Sequence, residues 1–190
     1  MRSNIGYLEV IAGPMYCGKT EELIRQIKRA QIGKKKVQAF KHAIANRYST
    51  EKKLHSHNGQ SHESEKIDSA EELINMIQDD TEIVAIDEAQ WFGQDLVPVI
   101  QELLNRNKHV IVAGLAMTFD QKPFVPIPTL MAMADKVTKL SSVCTLCGND
   151  AVFHKRMTQG TTVNSSIADP SLVGNLDDYQ ARCRVCYNKG

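Results

Sequence analysis

The sequence predicts an α/β fold in which helices cover both faces of a mainly parallel sheet. Short apolar segments alternate with segments whose apolar residues recur at helical spacing, and this alternation is typical of β-α-β units. Residues 82–87 and 109–114 are almost continuously apolar, as expected for strands buried on both faces. Because ligands bind at the carboxyl ends of parallel strands, candidate functional residues are expected there.

The first part of the chain supplies the opening β-α-β unit. Strands are expected at residues 7–11 and 36–41, and a helix is expected between them at residues 21–32. Residues 43–62 are polar, rich in histidine and without a period, and loops of this length are usually lids or disordered. We interpret this segment as a lid.

The alternation continues toward the C-terminus. Ser69 followed by Glu72 predicts a capping box at the start of a helix. Asp95 is expected to cap the next helix. A further helix near residues 128–134 and a strand near residues 137–142 complete the pattern.

Composition is that of an ordinary globular protein. The 190 residues are 42% hydrophobic and 24% charged, and 23 Lys and Arg against 22 Asp and Glu give a net charge of +1. A charge so close to zero gives no global field that would attract nucleic acid. No apolar run approaches membrane-spanning length and the N-terminus lacks the apolar stretch of a signal peptide, so we expect a cytoplasmic protein without a membrane partner.

The most informative motif lies between the first strand and the first helix. It reads Gly-Pro-Met-Tyr-Cys-Gly-Lys-Thr and fits G-x-x-x-x-G-K-[ST], a loop whose backbone N–H groups surround phosphates at a helix N-terminus. Lys19 is expected to reach the terminal phosphates and Thr20 to ligate Mg²⁺. The residues assigned to ATP and Mg²⁺ in this loop are Gly13, Pro14, Met15, Tyr16, Cys17, Gly18, Lys19 and Thr20.

Two carboxylates follow the apolar strand at residues 83–86. Asp87 is placed to hold the Mg²⁺ opposite Thr20, and Glu88 to face the group that is phosphorylated. The tetrad Asp-Glu-Ala-Gln at residues 87–90 is also the signature of one helicase class. A nucleic-acid-stimulated ATPase therefore stays open as an alternative.

Four of the five cysteines form two pairs with the spacing of zinc knuckles. Cys144-x-x-Cys147 and Cys183-x-x-Cys186 offer the four thiolates of a closed tetrahedral Zn²⁺ site, with disulfides or an iron–sulfur cluster as alternatives. The strand and helix pattern also ends here. We therefore predict an α/β domain over residues 1–142 and a small domain over 143–190.

Aromatic residues gather around these motifs. Trp91 and Phe92 follow Glu88, and Phe119 and Phe124 follow the strand that ends at residue 114. Tyr179 precedes the third of the paired cysteines. A flat apolar ligand and ordinary core packing explain this distribution equally well.

Five segments, in order, resemble the type II thymidine kinases over nearly the whole chain: G-P-M-Y-C-G-K-T, D-E-A-Q-W-F, G-L-A-M-T-F-D-Q-K-P-F, V-C-T-L-C and L-V-G-N-L-D-D-Y-Q-A-R-C-R-V-C. The resemblance implies a RecA-like P-loop domain whose parallel sheet is flanked by helices, and a small zinc-binding "lasso" that covers the base. It implies transfer of the ATP γ-phosphate to the 5′-hydroxyl of thymidine or deoxyuridine, which gives dTMP for DNA precursors. A homotetramer and feedback inhibition by dTTP are also implied.

The resemblance assigns roles to individual positions. Glu88 matches the general base, Asp87 and Thr20 match the Mg²⁺ ligands, and Gln90 and Arg47 are placed with the ATP site. The walls of the base pocket correspond to Met15, Trp91, Leu115, Phe119 and Phe124. The lasso contacts correspond to Pro170, Ser171, Leu172, Val173, Gly174 and Tyr179.

Three positions depart from the family pattern. Ala45 and Ala116 stand where the family usually has Asp, and Trp91 stands where it usually has Phe. If the two alanines abolished turnover, a non-catalytic nucleotide-sensing or interaction module would be suggested instead. A phosphorylation assay across the deoxynucleosides separates the kinase from this reading and from the nucleic-acid-stimulated ATPase.

Overall fold

The computed structural model describes residues 5–44, 53–55, 59, 61–157 and 179–189. Its strands are β1 (Tyr7–Ala12), β2 (Val37–His42), β3 (Lys53–His55), β4 (Ser61–Glu63), β5 (Glu65–Ile67), β6 (Ile83–Asp87), β7 (His109–Gly114), β8 (Lys136–Lys139), β9 (Ser142–Val143), β10 (Asp150–Ala151), β11 (Phe153–Arg156) and β12 (Tyr179–Arg182). Its helices are α1 (Lys19–Ile32), α2 (Ala70–Met76), α3 (Leu96–Asn105), α4 (Ile127–Met133) and α5 (Arg184–Asn188), and a 3₁₀ segment spans Ala89–Asp95.

Six strands form one central sheet in the order β5-β2-β6-β7-β1-β8. Each neighbouring pair is parallel, so the carboxyl ends of the strands lie along one edge. A helix lies between successive strands of this sheet, as the sequence pattern indicated, except between β2 and β5, where β3 and β4 intervene. The predicted α/β class is confirmed. The short edge strand β5 was not predicted, because three residues are too few to show a period.

The two faces of the sheet belong to two separate hydrophobic clusters. On β6, Val84 and Ile86 point to the face covered by α2, α3 and α4, whereas Ile83 and Ala85 point to the face covered by α1. The side-chain period of two in a strand produces this division. Because both faces are covered, both sets of residues are apolar, which explains the continuous apolar runs in the sequence.

Three smaller sheets lie outside the central one, and they correct two predictions. Residues 43–62 are not wholly a loop, because β3 and β4 form an antiparallel pair there. The last strand of the central sheet ends at Lys139 rather than near residue 142, since Ser142 already belongs to β9. In the C-terminal part, β9 pairs with β10 and β11 with β12, both antiparallel. The boundary near residue 143 stays a prediction.

Helix starts also differ in detail from the expected caps. The Ser69 hydroxyl accepts the N–H of Glu72 at 3.1 Å, but the carboxylate of Glu72 accepts from Asp68 at 2.9 Å instead of closing the box on Ser69. Asp95 makes no side-chain cap, because the 3₁₀ segment runs directly into α3. Within the described residues, no helix has the length and apolar character needed to cross a membrane.

Candidate active site and cysteine centre

The phosphate-binding motif forms the turn that connects β1 to α1. Gly18 adopts a left-handed conformation with φ of 81° immediately before the helix. Gly13 has no room for a side chain, because a Cβ there would lie 2.6 Å from Sγ of Cys17 and 2.7 Å from the carbonyl oxygen of Leu140. Both glycines of the motif are therefore required by the backbone path itself.

The N-terminus of α1 points into this turn without a side-chain cap. Its first N–H groups and the positive end of the helix dipole are thus directed at the loop, which is the arrangement that binds phosphate. Lys19 lies in the same turn, where its ammonium group donates to the carbonyl oxygen of Pro14 at 2.7 Å. The motif therefore brings one cationic side chain and a set of backbone donors to one place.

Asp87 meets Thr20 across the edge of the sheet. It is the last residue of β6, and the alternation of side chains places it on the same face as Ile83 and Ala85, beneath α1. Thr20 lies in the first turn of α1, and its hydroxyl donates to Oδ2 of Asp87 at 2.9 Å. Two oxygen ligands of the kind that Mg²⁺ prefers are thereby adjacent.

Asp87 is only 5% exposed. Burial, reinforced by the neighbouring charge of Glu88, raises its pKa to about 7. A bound divalent cation offsets both effects, because it stabilises the ionised carboxylate. The residues present thus fit a Mg²⁺ ion carried in with a nucleotide.

Glu88 leaves the strand in the left-handed region with φ of 52°, and its backbone N–H donates to Oδ1 of Asp87 at 3.0 Å. This turn directs the two consecutive carboxylates differently. A non-glycine residue in this region is uncommon, and such conformations cluster at functional sites.

Gln90 joins Glu88 to the end of the neighbouring strand β7. Its side-chain N–H donates to Oε2 of Glu88, and its Oε1 accepts the backbone N–H of Leu115 at 3.1 Å. Gln90 is 1% exposed, so both ends of its amide are used within the protein interior.

The aromatic residues expected to line the base pocket lie together. Trp91 and Phe124 form one cluster with ring centroids 5.6 Å apart, and Leu115, Phe119 and Ile44 pack against them. Phe92 is different, since it belongs to the core between the sheet and its helices. Ile44 was not assigned to the pocket from the sequence, because it lies within the polar segment that was interpreted as a lid.

The C-terminal part contacts this cluster through Phe119. Its ring lies 6.2 Å from that of Tyr179, and the guanidinium of Arg156 lies 5.9 Å from the Phe119 ring centroid. The hydroxyl of Tyr187, in α5, donates to the carbonyl oxygen of Phe119. The loop after β7 is therefore held by three residues from the two strands and the helix that surround the paired cysteines.

The phosphate-binding turn also touches the C-terminal part. The hydroxyl of Tyr16 donates to the carbonyl oxygen of Tyr179 at 3.3 Å, and the Ser142 hydroxyl donates to the carbonyl oxygen of Tyr16 at 3.1 Å. Tyr16 also packs against the buried residues around Cys144 and Cys183. A variable position of the motif thus connects the turn with the cysteine centre.

The four paired cysteines form one cluster. Their Sγ atoms all lie within 4.8 Å of one another, and those of Cys147 and Cys183 are 3.6 Å apart. None is in a disulfide. Zn–S distances of about 2.3 Å place sulfur atoms about 3.8 Å apart in a tetrahedron, so the cluster fits Zn²⁺.

Backbone N–H groups favour the thiolate form of Cys144 and Cys183, whereas hydrogen bonds with the Cys147 and Cys183 thiols raise the pKa of Cys186 to about 12. The backbone of Cys186 donates to Sγ of Cys183 at 3.4 Å and lowers the pKa of that thiol. A hydrogen bond from the Cys183 backbone is the largest of the effects that lower the pKa of Cys144 to about 6. Thiolates are the form that binds metal.

Two buried groups beside the site were missed from the sequence. Lys41, one residue before the end of β2, lies in register with Asp87, is 7% exposed, and donates to the carbonyl oxygen of Lys53 at 2.7 Å. His154 on β11 is 4% exposed and its ring lies 5.8 Å from that of Tyr179. Lys41 could have been found from the sequence, because it is a charged residue at the carboxyl end of a predicted strand. His154 belongs to no recognisable motif, so the sequence contained no signal for it.

The structure brings most of the expected site residues together. The phosphate-binding turn, the two carboxylates, Gln90 and the aromatic cluster all lie at the carboxyl edge of the central sheet. Met15 lies half-buried within the turn. Ala116, at the start of the loop that carries Phe119, accepts the N–H of Phe124 through its carbonyl oxygen at 3.0 Å. Six expected site residues and Ala45 lie outside the described residues, and those site residues are Arg47, Pro170, Ser171, Leu172, Val173 and Gly174.

The chain matches the model of a known protein family over most of its length. The model of the family described as "Thymidine kinase" matches residues 6–187 of the 190-residue chain. The match includes the phosphate-binding turn, the carboxylate pair and all four paired cysteines.

Proposed function

The chain belongs to the thymidine kinase family and is an ATP-dependent phosphotransferase, and from this premise we propose which of its residues transfer the γ-phosphate to the 5′-hydroxyl of thymidine. The observation that carries the proposal is the contact between Thr20 and Asp87, with Glu88 adjacent. This contact supports the proposal because it joins the phosphate-binding motif and the carboxylate pair at one edge of the sheet.

In the proposed mechanism, the turn from Gly13 to Gly18 binds the phosphates through its backbone N–H groups. Lys19 leaves the Pro14 carbonyl and binds the terminal phosphates. Thr20 and Asp87 would hold the Mg²⁺ of the nucleotide, and such an ion would neutralise charge on the phosphates.

Glu88 receives the proton of the 5′-hydroxyl. Phosphoryl transfer depends mainly on positioning and electrostatic stabilisation, so the base acts late and its exact placement matters. Glu88 follows the Mg²⁺ ligand by one residue, and its Oε2 accepts from the side chain of Gln90, whereas Asp87 accepts from Thr20. This gives the two carboxylates separate tasks.

The base of thymidine lies against the aromatic cluster in this proposal. Trp91, Phe119 and Phe124 offer flat apolar surfaces, and Leu115 and Tyr179 close the sides. Residues 170–174 supply hydrogen bonds to the edge of the base, as the family resemblance implies. A pocket of this kind accepts thymidine or deoxyuridine and excludes a purine by size.

The four cysteines bind one structural Zn²⁺ per chain. The metal joins the ends of the segment between Cys147 and Cys183, and this segment is the proposed lasso. A closed Cys₄ site has no open coordination position, so its contribution is folding and placement rather than chemistry.

The remaining family properties are carried over as proposals. We place the protein in the cytoplasm as a homotetramer, with dTTP as a feedback inhibitor and deoxyuridine as a second acceptor. Each is testable on purified protein by size-exclusion chromatography with light scattering, inhibition assays and acceptor competition.

The decisive test measures ATP-dependent phosphorylation of thymidine, deoxyuridine, deoxycytidine and the purine deoxynucleosides in parallel. We expect thymidine and deoxyuridine to be converted and the others to be rejected. ATP hydrolysis is measured alongside with single-stranded RNA and DNA. Nucleic-acid stimulation without deoxynucleoside phosphorylation would overturn the proposal in favour of the ATPase alternative, which neither the family match nor any described contact supports.

A further inference from the structure

We infer that Gln90 positions the catalytic carboxylate and does not bind the nucleotide. The family resemblance alone placed Gln90 with the ATP and Mg²⁺ ligands. The structure gives its amide two partners within the protein, the carboxylate of Glu88 and the backbone N–H of Leu115. This inference rests on the proposed role of Glu88 as the base.

The backbone of Leu115 fixes which way the amide faces. An N–H group can only donate, so it requires the Oε1 of Gln90 as its acceptor at 3.1 Å. The opposite end of the amide, which carries two N–H donors, is then directed at Oε2 of Glu88. The orientation that satisfies the backbone is therefore also the one that offers a donor to an ionised carboxylate.

The side chain of Gln90 is enclosed by the surrounding structure. Gln90 is 1% exposed, and a Cβ on Gly114 would lie only 2.8 Å from its Oε1. The glycine at the carboxyl end of β7 thus makes room for the amide. A long polar side chain that is enclosed in this way loses little further freedom when substrate binds, which is the condition for a precisely held base.

Gln90 also connects the base with the substrate pocket. Leu115 packs against the cluster of Trp91 and Phe124, and its backbone is held by the same amide that holds Glu88. One side chain therefore sets the position of the proton acceptor relative to the wall of the base pocket. Its loss is expected to affect the chemical step more than the binding of either substrate.

The test uses Gln90→Glu, which keeps an acceptor for Leu115 but removes the donor to Glu88, and Gln90→Met, which removes both. Gln94→Glu is the matched control, because Gln94 lies in the same 3₁₀ segment and is exposed. We expect both Gln90 variants to lower kcat roughly 10- to 100-fold with KM for ATP and thymidine within a few fold. The control is expected to behave as the wild type.

A double-variant cycle with Glu88→Gln separates the inference from the proposed mechanism. If Gln90 acts through Glu88, the double variant Glu88→Gln, Gln90→Met has about the kcat of Glu88→Gln alone. The inference would be overturned if the double variant lost kcat by the product of the two single losses. A tenfold rise in KM for ATP with kcat unchanged in the Gln90 variants would also overturn it. Near-normal turnover by Glu88→Gln alone would instead show that Glu88 is not the base, and the proposed mechanism would fail. Thermal melting of each variant, with and without ATP, identifies any protein that has not folded.

Discussion

The edge of the central sheet and the cysteine centre place functional residues by different means. At the sheet edge, regular secondary structure positions the side chains. Asp87 ends a buried strand, and Thr20 lies in the first turn of a helix that packs on the same face. Around the cysteines the described strands have only two or four residues and the helix five. Such short elements cannot hold a loop by their own hydrogen bonds.

The difference indicates where each region is vulnerable. The residues at the sheet edge are supported by a large apolar core on each face of the sheet. Replacing one polar side chain at this edge therefore removes one chemical group and leaves the sheet and its helices intact. The cysteine centre has a small buried cluster, and its geometry depends on four sulfur atoms together with a few long-range hydrogen bonds. We therefore expect variants of the first region to affect kcat and variants of the second to affect thymidine binding.

The largest effect is expected from Glu88→Gln, which retains the size and one acceptor oxygen but loses the basicity. A general base contributes about 10²- to 10⁴-fold, so kcat should fall by a factor in that range. Affinities for ATP and thymidine should stay within a few fold. Asp87→Asn is the companion variant, and it should also weaken binding of Mg·ATP because it removes a metal ligand. Steady-state kinetics at varied Mg²⁺ distinguish the two, and equal behaviour of both variants would contradict separate tasks for the two carboxylates.

The second prediction concerns the metal. Cys183→Ser leaves three thiolates, so the protein should lose its Zn²⁺ and its KM for thymidine should rise about tenfold or more, while binding of ATP changes far less. Val185→Ala is the control, since this exposed residue lies between Cys183 and Cys186. Elemental analysis and titration of each substrate provide the readout. A freshly purified wild-type protein without zinc would contradict this view of the cysteine centre.

A smaller effect is expected from Tyr187→Phe. This change deletes only the hydroxyl that donates to the carbonyl oxygen of Phe119. A net hydrogen bond contributes about 1 kcal/mol, so KM for thymidine should rise a few fold while zinc content and kcat stay close to wild type. Tyr7→Phe is the matched control, because Tyr7 lies at the opposite end of the sheet from the site. An unchanged KM would mean that the loop after β7 does not need this support.

The last predicted effect is on stability instead of activity, and it depends on pH. Burial, with a further contribution from the charge of Lys19, lowers the pKa of His154 to about 3. An unfolded chain has a histidine pKa of about 6.5, so below that pH the unfolded state binds a proton that the folded state does not. Stability is therefore complete above about pH 7 and falls as the pH drops toward 3, by up to about 1.4 kcal/mol per pH unit.

The comparison protein for this effect is His154→Asn, which cannot titrate. Denaturant unfolding of both proteins between pH 8 and pH 5 provides the measurement. The wild type should lose stability more steeply than the variant as the pH falls. Parallel curves would show that His154 is not kept neutral in the fold.

The sequence by itself determined the features that depend on local chemistry. The spacing of Gly13, Gly18 and Lys19 defines a turn whose backbone path needs those residue types, and continuous apolar runs defined the buried strands before any contact was known. The spacing of the four cysteines predicted a common cluster, because two close pairs supply the four ligands of a tetrahedral zinc site. These signals are visible in the sequence because the phosphate-binding motif, each buried strand and each cysteine pair consist of residues a few positions apart.

Only the tertiary structure decided which residues from distant segments meet. The partner of Gln90 is the backbone of Leu115, 25 residues away, and the partner of Tyr187 is the carbonyl of Phe119, 68 residues away. Neither partnership uses a side chain of the second residue, so no residue type at positions 115 or 119 could reveal it. Lys41 lies beside Asp87 only because β2 and β6 are neighbours with that register. Strand order and register are properties of the folded sheet, which is why the sequence supplied the candidate site residues and the fold supplied the links between them.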